Sequence, residues 1–391
     1  MKNVALIFGG ESAEREISIV TAMQLEEMCD KNKYKLFCVV ADENGNFFWC
    51  KNGIDSQACA NCNFDSKNYV RVEFAFGKMW GMFGKKLKAI ADVDCAIIAC
   101  HGGKGENGEL VAHLNIAKIK TSVGGVEALQ IAMDKTISKQ ILKGKGIPVA
   151  IGFDFFDNEW LNCCESVVER VENEVGYPAV VKPARQGSSV GITYVENKNE
   201  LCEAVELALE YDNKILVEKA VKNFREFNVS VIRRDCETLV SEIEEAEKSG
   251  AILTFSDKYF GGAKKDKFQK CLPKMSKYCK NSQKFGQKCC KTGNGLFLNG
   301  NKNSVKNIDE DVAAQIKNYA KAAVCCIEFF GVCRIDFLVD DLGKVYLNEI
   351  NSVPGSLAYY FWNGFNVFDK LVEVAVNSST AGKKTLIAKF L

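Results

Sequence analysis

The sequence predicts an α/β protein of two or three domains that begins on a parallel sheet, and three observations lead there. The chain opens with a short apolar run ending in two glycines, "NVALIFGG", and continues with "ESAEREISIVTAMQLEEMC", whose apolar residues recur at helical spacing. A strand, a tight glycine turn and a helix are how a parallel α/β sheet starts. Further apolar strand-like runs follow at "KLFCVVAD" and "DCAIIACHGG". A chain of 391 residues also exceeds what one ordinary core organises.

Taken in order, the first three strands end near Gly9, Ala41 and His101. Ligands of open α/β sheets sit off the carboxyl ends of strands, so Gly9, Gly10 and His101 are expected in one crevice. "VGGVEALQIAMDKTISKQILKGKGIP" reads as mostly helix with a Gly-Ile-Pro stop. The first domain is placed at 1–124, before that helix. A second, 125–220, carries the strands "YPAVVKPA" and "GITYVEN", the helix "KNELCEAVELALEY" and the strand "KILVEKAV". Its first two strands are expected to pair antiparallel through "RQGSSV". The third, 221–391, reads as strands "EFNVSVIRR" and "ETLVSEIEEA", a long lysine-rich stretch, the helix "EDVAAQIKNYAKAAVCCIEFF" and the strands "VCRIDFLVDD" and "KVYLNEINSV". An irregular loop of that length inside a compact domain is usually functional or disordered.

Composition narrows the function classes. A formal net charge of +1 supplies no global field for nucleic acid. No run of eighteen apolar residues suggests a membrane span, and the start lacks the basic, cleavable form of a signal peptide, so a cytoplasmic protein is expected. Most of the 18 cysteines lie in apolar runs and read as small core residues in a reducing compartment. The exception is Cys271 to Cys290, where four cysteines share a lysine-rich segment. Zinc is one reading there, but the spacing matches no common pair of ligand hooks, and a mobile loop is preferred.

Two stretches carry chemistry. "AVVKPARQGSSVG", Ala179 to Gly191, sets one lysine beside a turn of glycine and serine, which suits phosphate in charge and size. Lys182 precedes the glycines, unlike a Walker loop, and a plain hairpin turn is the competing reading. "RIDFLVDDLGKVYLNEINSVPG" alternates polar and apolar residues, so Arg334 and Asp336 share one face, as do Glu349 and Asn351. If these strands pair, Asp336, Glu349 and Asn351 converge as oxygen ligands suited to a magnesium ion on a nucleotide; the alternative is a solvated hairpin face. In "ILVEKAVKNFREF", Glu218 and Glu226 are able to hold adenine or ribose, although lone glutamates are most often surface residues.

The motifs "GGESAEREIS", "HGGKGENGEL", "AMDK", "VVKPARQGSSVG", "VEKAV…REF", "SDKYFGG" and "RIDFLVD…YLNEINSVPGS" occur here in the order found in D-alanine:D-alanine ligases of the ATP-grasp superfamily. The chain resembles that family from about Asn3 to about Trp362. The resemblance implies an ATP-grasp fold with an N-terminal Rossmann-like domain. It also implies an ATP-dependent joining of two D-alanines through an acyl phosphate, for peptidoglycan synthesis.

By the same resemblance, Lys135 and Lys182 hold ATP phosphates under the Ser188–Ser189 loop, and Lys258 reaches the transferred phosphate. Glu218, the backbone at Ala220 and Val221, and Glu226 hold adenine and ribose. Asp336, Glu349 and Asn351 bind two magnesium (or manganese) ions. Glu14 anchors the first D-alanine's ammonium with His101 beside it, and Arg334 and Gly355 stabilise the oxyanion. Glu14, Ser188 and Tyr259 form a hydrogen-bonded link across domains. Tyr259 favours an amine as second substrate over D-lactate. A homodimer is implied, with D-alanine and ATP as small-molecule partners and neither nucleic acid nor membrane.

Departures from the family pattern are Val111, Ala112 and His113 after "GENG", the loop "SLAYYFW" at Ser356 and Leu357, and a longer segment over 260–305. The rival readings are a ligase of the same fold using D-serine or D-lactate second, and a catalytically silent nucleotide-binding relative.

Overall fold

Complete burial of Val4 through Phe8 makes the opening run, β1 (Lys2–Gly9), the centre of the first sheet. In the computed structural model, which describes residues 1–235, 237–246 and 308–377, β1 lies parallel to both β2 (Tyr34–Ala41) and β7 (Cys95–Ile98). Strands covered on both faces read as unbroken apolar runs, and these three do. Between β2 and β7 in sequence the sheet grows outward through β3 (Phe47–Cys50), β4 (Tyr69–Ala75), β5 (Lys78–Phe83) and β6 (Lys86–Asp92), all antiparallel. The sequence reading assigned no element here. The outermost strand, "KLKAIAD", is largely exposed, and its lysines suit an unpaired edge. The helices of this unit are α1 (Arg15–Met28), α2 (Ser56–Ala60), α3 (Gly103–Glu106) and α4 (Glu109–Ile116).

The expected single helix after Val123 is two, α5 (Val126–Met133) and α6 (Lys135–Gly144). The break falls at Asp134, which is extended and caps the second helix by accepting from the amides of Thr136 and Ile137 at 3.0 and 3.1 Å. This places Lys135 on the first turn of a new helix, where its amide donates to Ala184 at 3.0 Å.

The second sheet contains β8 (Gly152–Phe156), β9 (Ala179–Pro183), β10 (Thr193–Val195) and β11 (Lys214–Lys219) in the order β10-β9-β11-β8, all antiparallel. The β9–β10 pairing is the one expected around "RQGSSV". With α7 (Asp157–Arg170) and α8 (Lys198–Leu209) this sheet encloses a core of its own, from Phe153 and Phe155 to Val217.

The third sheet runs β13 (Glu237–Val240), β12 (Arg225–Arg234), β15 (Gly331–Val339), β16 (Val345–Asn351), with β14 (Glu244–Ala246) also on β12. The expected strand "ETLVSEIEEA" is thus split. Ser241 interrupts it, accepting from the Ser230 amide at 2.9 Å and donating to the Glu242 carbonyl at 2.7 Å. Two helices complete the unit, α9 (Glu310–Cys326) and α10 (Val367–Asn377). Buried residues of the first and third sheets form one continuous core, whereas the second sheet's core is separate.

Candidate active site

Two adjoining pockets open where the three sheets meet, and both are lined by Lys135 and Glu349. The first also contains Glu14, Glu106, Ser188, Arg334, Asn351 and Gly355. The second contains Lys182, Ser189, Glu218, Ala220, Val221 and Glu226. Consecutive residues of the β9–β10 loop therefore face different pockets: Ser188 the first and Ser189 the second.

That loop is bent by left-handed backbone at Ser188 (φ 53°), Ser189 (φ 58°) and Gly191 (φ 69°). Non-glycine residues rarely adopt this conformation unless their surroundings over-determine it. The Ser188 hydroxyl donates to the Glu14 carboxylate, 174 residues earlier, and both residues are buried. Glycines crowd Glu14 from both sides: a Cβ at Gly102 would sit 2.9 Å from Glu14 Oε2, and one at Gly187 3.2 Å from the same oxygen.

In the second pocket, Lys182 on β9 approaches Glu218 on β11 to 2.5 Å, and Lys139 on α6 bonds the other carboxylate oxygen. All three side chains are buried. Burial alone raises a carboxyl, but the two ammonium groups outweigh it and hold Glu218 at about 2. Burial, reinforced by Lys182, lowers Lys139 to about 8 against the pull of Glu218. Lys135 donates to the Gln186 carbonyl at 2.5 Å and stands 4.0 Å from Glu349. Sequence reasoning missed Lys139. The available signal was its place one helical turn after Lys135 in "DKTISKQIL", on the same face.

The β15–β16 hairpin forms, with Arg334 opposite Asn351 and Asp336 opposite Glu349. Arg334 holds the fully buried Asp336 with two bonds, 2.7 and 2.8 Å, and Asn351 Nδ2 donates to it at 3.0 Å. In the amide orientation that satisfies its neighbours, Asn228 donates to the same carboxylate at 3.0 Å. Glu244, on β14, faces this cluster; burial raises it to about 7 despite Arg334. Among the described residues no three His, Cys, Asp or Glu side chains gather to hold a metal by themselves. The hairpin's donors are all hard oxygens, two carboxylates and an amide, which fits magnesium or manganese completed by water and phosphate.

After β16 the chain enters a tight turn in which Ser356, Leu357 and Ala358 are all left-handed, with φ of 56°, 45° and 52°. The first sheet's unit pins this turn. Glu106 accepts from the Val353 amide and the Ser352 hydroxyl at 3.0 Å each, and from the Gly102 amide at 2.9 Å. His101 Nδ1 lies 2.7 Å from the Val353 carbonyl, which only accepts, so this nitrogen carries the hydrogen. Burial lowers the His101 pKa against Glu14, leaving a neutral ring whose Nε2 accepts from Thr21 at 2.8 Å. Thr21 Oγ1 in turn accepts from the Ser356 amide at 3.0 Å. His101 thus lies near Glu14, as expected, with both ring nitrogens engaged by protein. Burial and the nearby Glu14 raise the Glu106 carboxyl. The sequence reading singled out neither Glu106 nor Thr21. Lys258 and Tyr259, and the segment from Cys271 to Cys290, lie outside the described residues.

Comparison with known proteins adds the following. Residues 3–123 match the family model "D-ala D-ala ligase N-terminus", and residues 141–289 and 299–362 match "D-ala D-ala ligase C-terminus". The chain is 33% identical to the D-alanine–D-alanine ligase of Thermosipho africanus, over 96% of this chain and 93% of that one. It is 31% identical to the enzyme of the same name from Chloroherpeton thalassium, over 90% and 88%. Among solved structures it is similar to the VanG D-Ala:D-Ser ligase of Enterococcus faecalis, with TM-score 0.74 and 23% identity over 96% and 99%. The D-alanine–D-alanine ligase of Coxiella burnetii gives TM-score 0.71 and 21% identity over 96% of each chain.

Proposed function

This chain belongs to the D-alanine–D-alanine ligase family, and we propose that its two adjoining pockets divide that family's reaction between them. The protein is an ATP-using ligase that joins two D-alanines. ATP occupies the pocket of Lys182 and Glu218, and the amino acids occupy the pocket of Glu14 and Arg334. The observation that carries this reading is the shared wall: Lys135 and Glu349 line both pockets, so a terminal phosphate in one lies next to a carboxylate in the other.

Phosphoryl transfer asks for charge neutralisation and alignment more than covalent help. Lys135 and Lys182 neutralise the phosphates, while Ala220, Val221 and Glu226 enclose adenine and ribose. Asp336, Glu349 and Asn351 would hold two divalent cations, magnesium or manganese, whose chemistry is to screen phosphate charge. Glu14, which lines this pocket, takes the first D-alanine's ammonium. The first D-alanine's carboxylate oxygen attacks the terminal phosphorus of ATP, the P–O bond to the β-phosphate breaks with its electron pair going to ADP, and an acyl phosphate forms. The second D-alanine's amine then attacks the acyl carbon, a C–N bond forms, phosphate leaves with the C–O bond pair, and the proton shed by the nitrogen goes with the departing phosphate. The developing oxyanion faces the Arg334 guanidinium and the Gly355 amide, whereas the expected role of Ser356 and Leu357 in holding the second substrate's carboxylate does not fit: neither lines this pocket, and their amides already donate to Thr21 Oγ1 at 3.0 Å and to the Pro354 carbonyl at 2.8 Å. Ser188, clamped on Glu14, closes the loop against water that would hydrolyse the acyl phosphate. Lys258 and Tyr259 extend the phosphate contacts and the Glu14–Ser188 link.

The same reading divides the chain near residues 124 and 220, and extends to a homodimer and a cytoplasmic location. No described helix is long and apolar enough to cross a membrane. The test is product identification. With ATP and D-alanine the protein releases D-alanyl-D-alanine and one phosphate per dipeptide. A mixed product with D-serine or D-lactate, with no D-alanyl-D-alanine, overturns the substrate assignment.

A further inference from the structure

Two buried ammonium groups share one buried carboxylate in the second pocket, and only one of the two, Lys182, lines that pocket. We propose that Lys139 is a positioning residue for nucleotide binding: it retains Glu218 as its counter-ion when Lys182 gives up that carboxylate to a phosphate. The proposal rests on the reading that ATP phosphates bind at Lys182.

The argument is one of charge. A cation paired with Glu218 must leave it, wholly or in part, to bond a phosphate. A buried carboxylate stripped of its partner is strongly unfavourable, because nothing replaces its lost hydration. With Lys182 as sole partner, phosphate binding would therefore work against a closed ion pair. Lys139 removes that obstacle. It bonds the opposite carboxylate oxygen, so Glu218 remains ionised and hydrogen-bonded whichever way Lys182 turns. Two positive charges on one negative also leave one positive charge over, in a place where low polarity makes it felt. Lys139 reaches this position because the cap at Asp134 starts α6 at Lys135, which sets residue 139 one turn further along the same face.

Calorimetric ATP affinity and steady-state kinetics on the full-length protein test the idea. In Lys139→Met, Glu218 still has Lys182, so the variant folds with a nearly unchanged thermal midpoint. Its ATP affinity falls at least about tenfold, and KM for ATP rises while KM for D-alanine does not. Lys139→Arg, which keeps the charge, restores most of the affinity. In a Glu218→Gln background, removing Lys139 costs no more than about two- to threefold, because no buried carboxylate is left to orphan. Unchanged affinity in Lys139→Met overturns the proposal. So does an equal loss for ATP and D-alanine in both Lys139 variants with a lowered thermal midpoint, which is the signature of a purely structural lysine. If Lys182→Ala also leaves ATP affinity untouched, the nucleotide is not bound there and the underlying reading fails instead.

Discussion

The ledge of Lys182, Lys139 and Glu218 and the hairpin of Arg334, Asp336 and Glu349 are built from the same kinds of residue in opposite proportion. On the ledge two cations share one anion. On the hairpin one guanidinium and two amide groups converge on Asp336, while Glu349 lies at the pocket wall 4.0 Å from Lys135. The ledge has a cation to spare for phosphate, and the hairpin offers the oxygen ligands that the proposed divalent metal would use. They also differ mechanically. The ledge belongs to the sheet with its own core, and the hairpin to the core shared by the first and third sheets. A ligand lying between them touches elements that belong to two separate cores.

Substitutions that unbalance either side break or sharpen this contrast. The largest effect is expected on the hairpin: Asp336→Ala removes the proposed metal ligand and takes from Arg334 the buried carboxylate it holds, and turnover falls by more than about a hundredfold. Retained phosphate release would show that the hairpin is not where metal acts. On the ledge, Lys182→Ala costs about 1.5 to 3 kcal/mol of ATP binding, read by calorimetry. Between the two sides, Ser188→Ala slows turnover about tenfold with circular dichroism unchanged; equal turnover removes Ser188 from the closure. The smallest effect is a pH dependence. Lys139 faces Glu218 and Lys182 closely and Glu349 at longer range, and it titrates near 8 because burial and Lys182 outweigh Glu218. It is charged below that pH, so ATP affinity holds up to about pH 8 and then declines. The decline is shallower in Lys139→Arg, and an identical profile in both proteins would separate the titration from Lys139.

The hairpin and the β9–β10 loop were legible in the sequence because their information is local. Period-two alternation decides which side chains share a face, and a short link between two strands decides their pairing. The partners of Lys139 and Glu106 were not legible for the opposite reason. Glu218 lies 79 residues from Lys139, and Ser352 lies 246 residues from Glu106. No local pattern encodes such a distance. The helix break at Asp134 was readable in principle, as an Asp that caps a new helix, but apolar periodicity runs through it and hides the stop. Of the strands between Phe47 and Asp92, the last escaped because it has no buried residue to mark its inner face.

Ser188 rests on Glu14, so one hydrogen bond ties the loop over the junction of the two pockets to the first sheet's unit. Each ligand must then wait for that contact to part, and the observed association rate becomes the diffusional rate multiplied by the fraction of time the loop is lifted. The same latch delays departure. A bound dipeptide leaves no faster than Ser188 lets go, so weakening this one hydrogen bond should shorten product residence even where it impairs the chemical step.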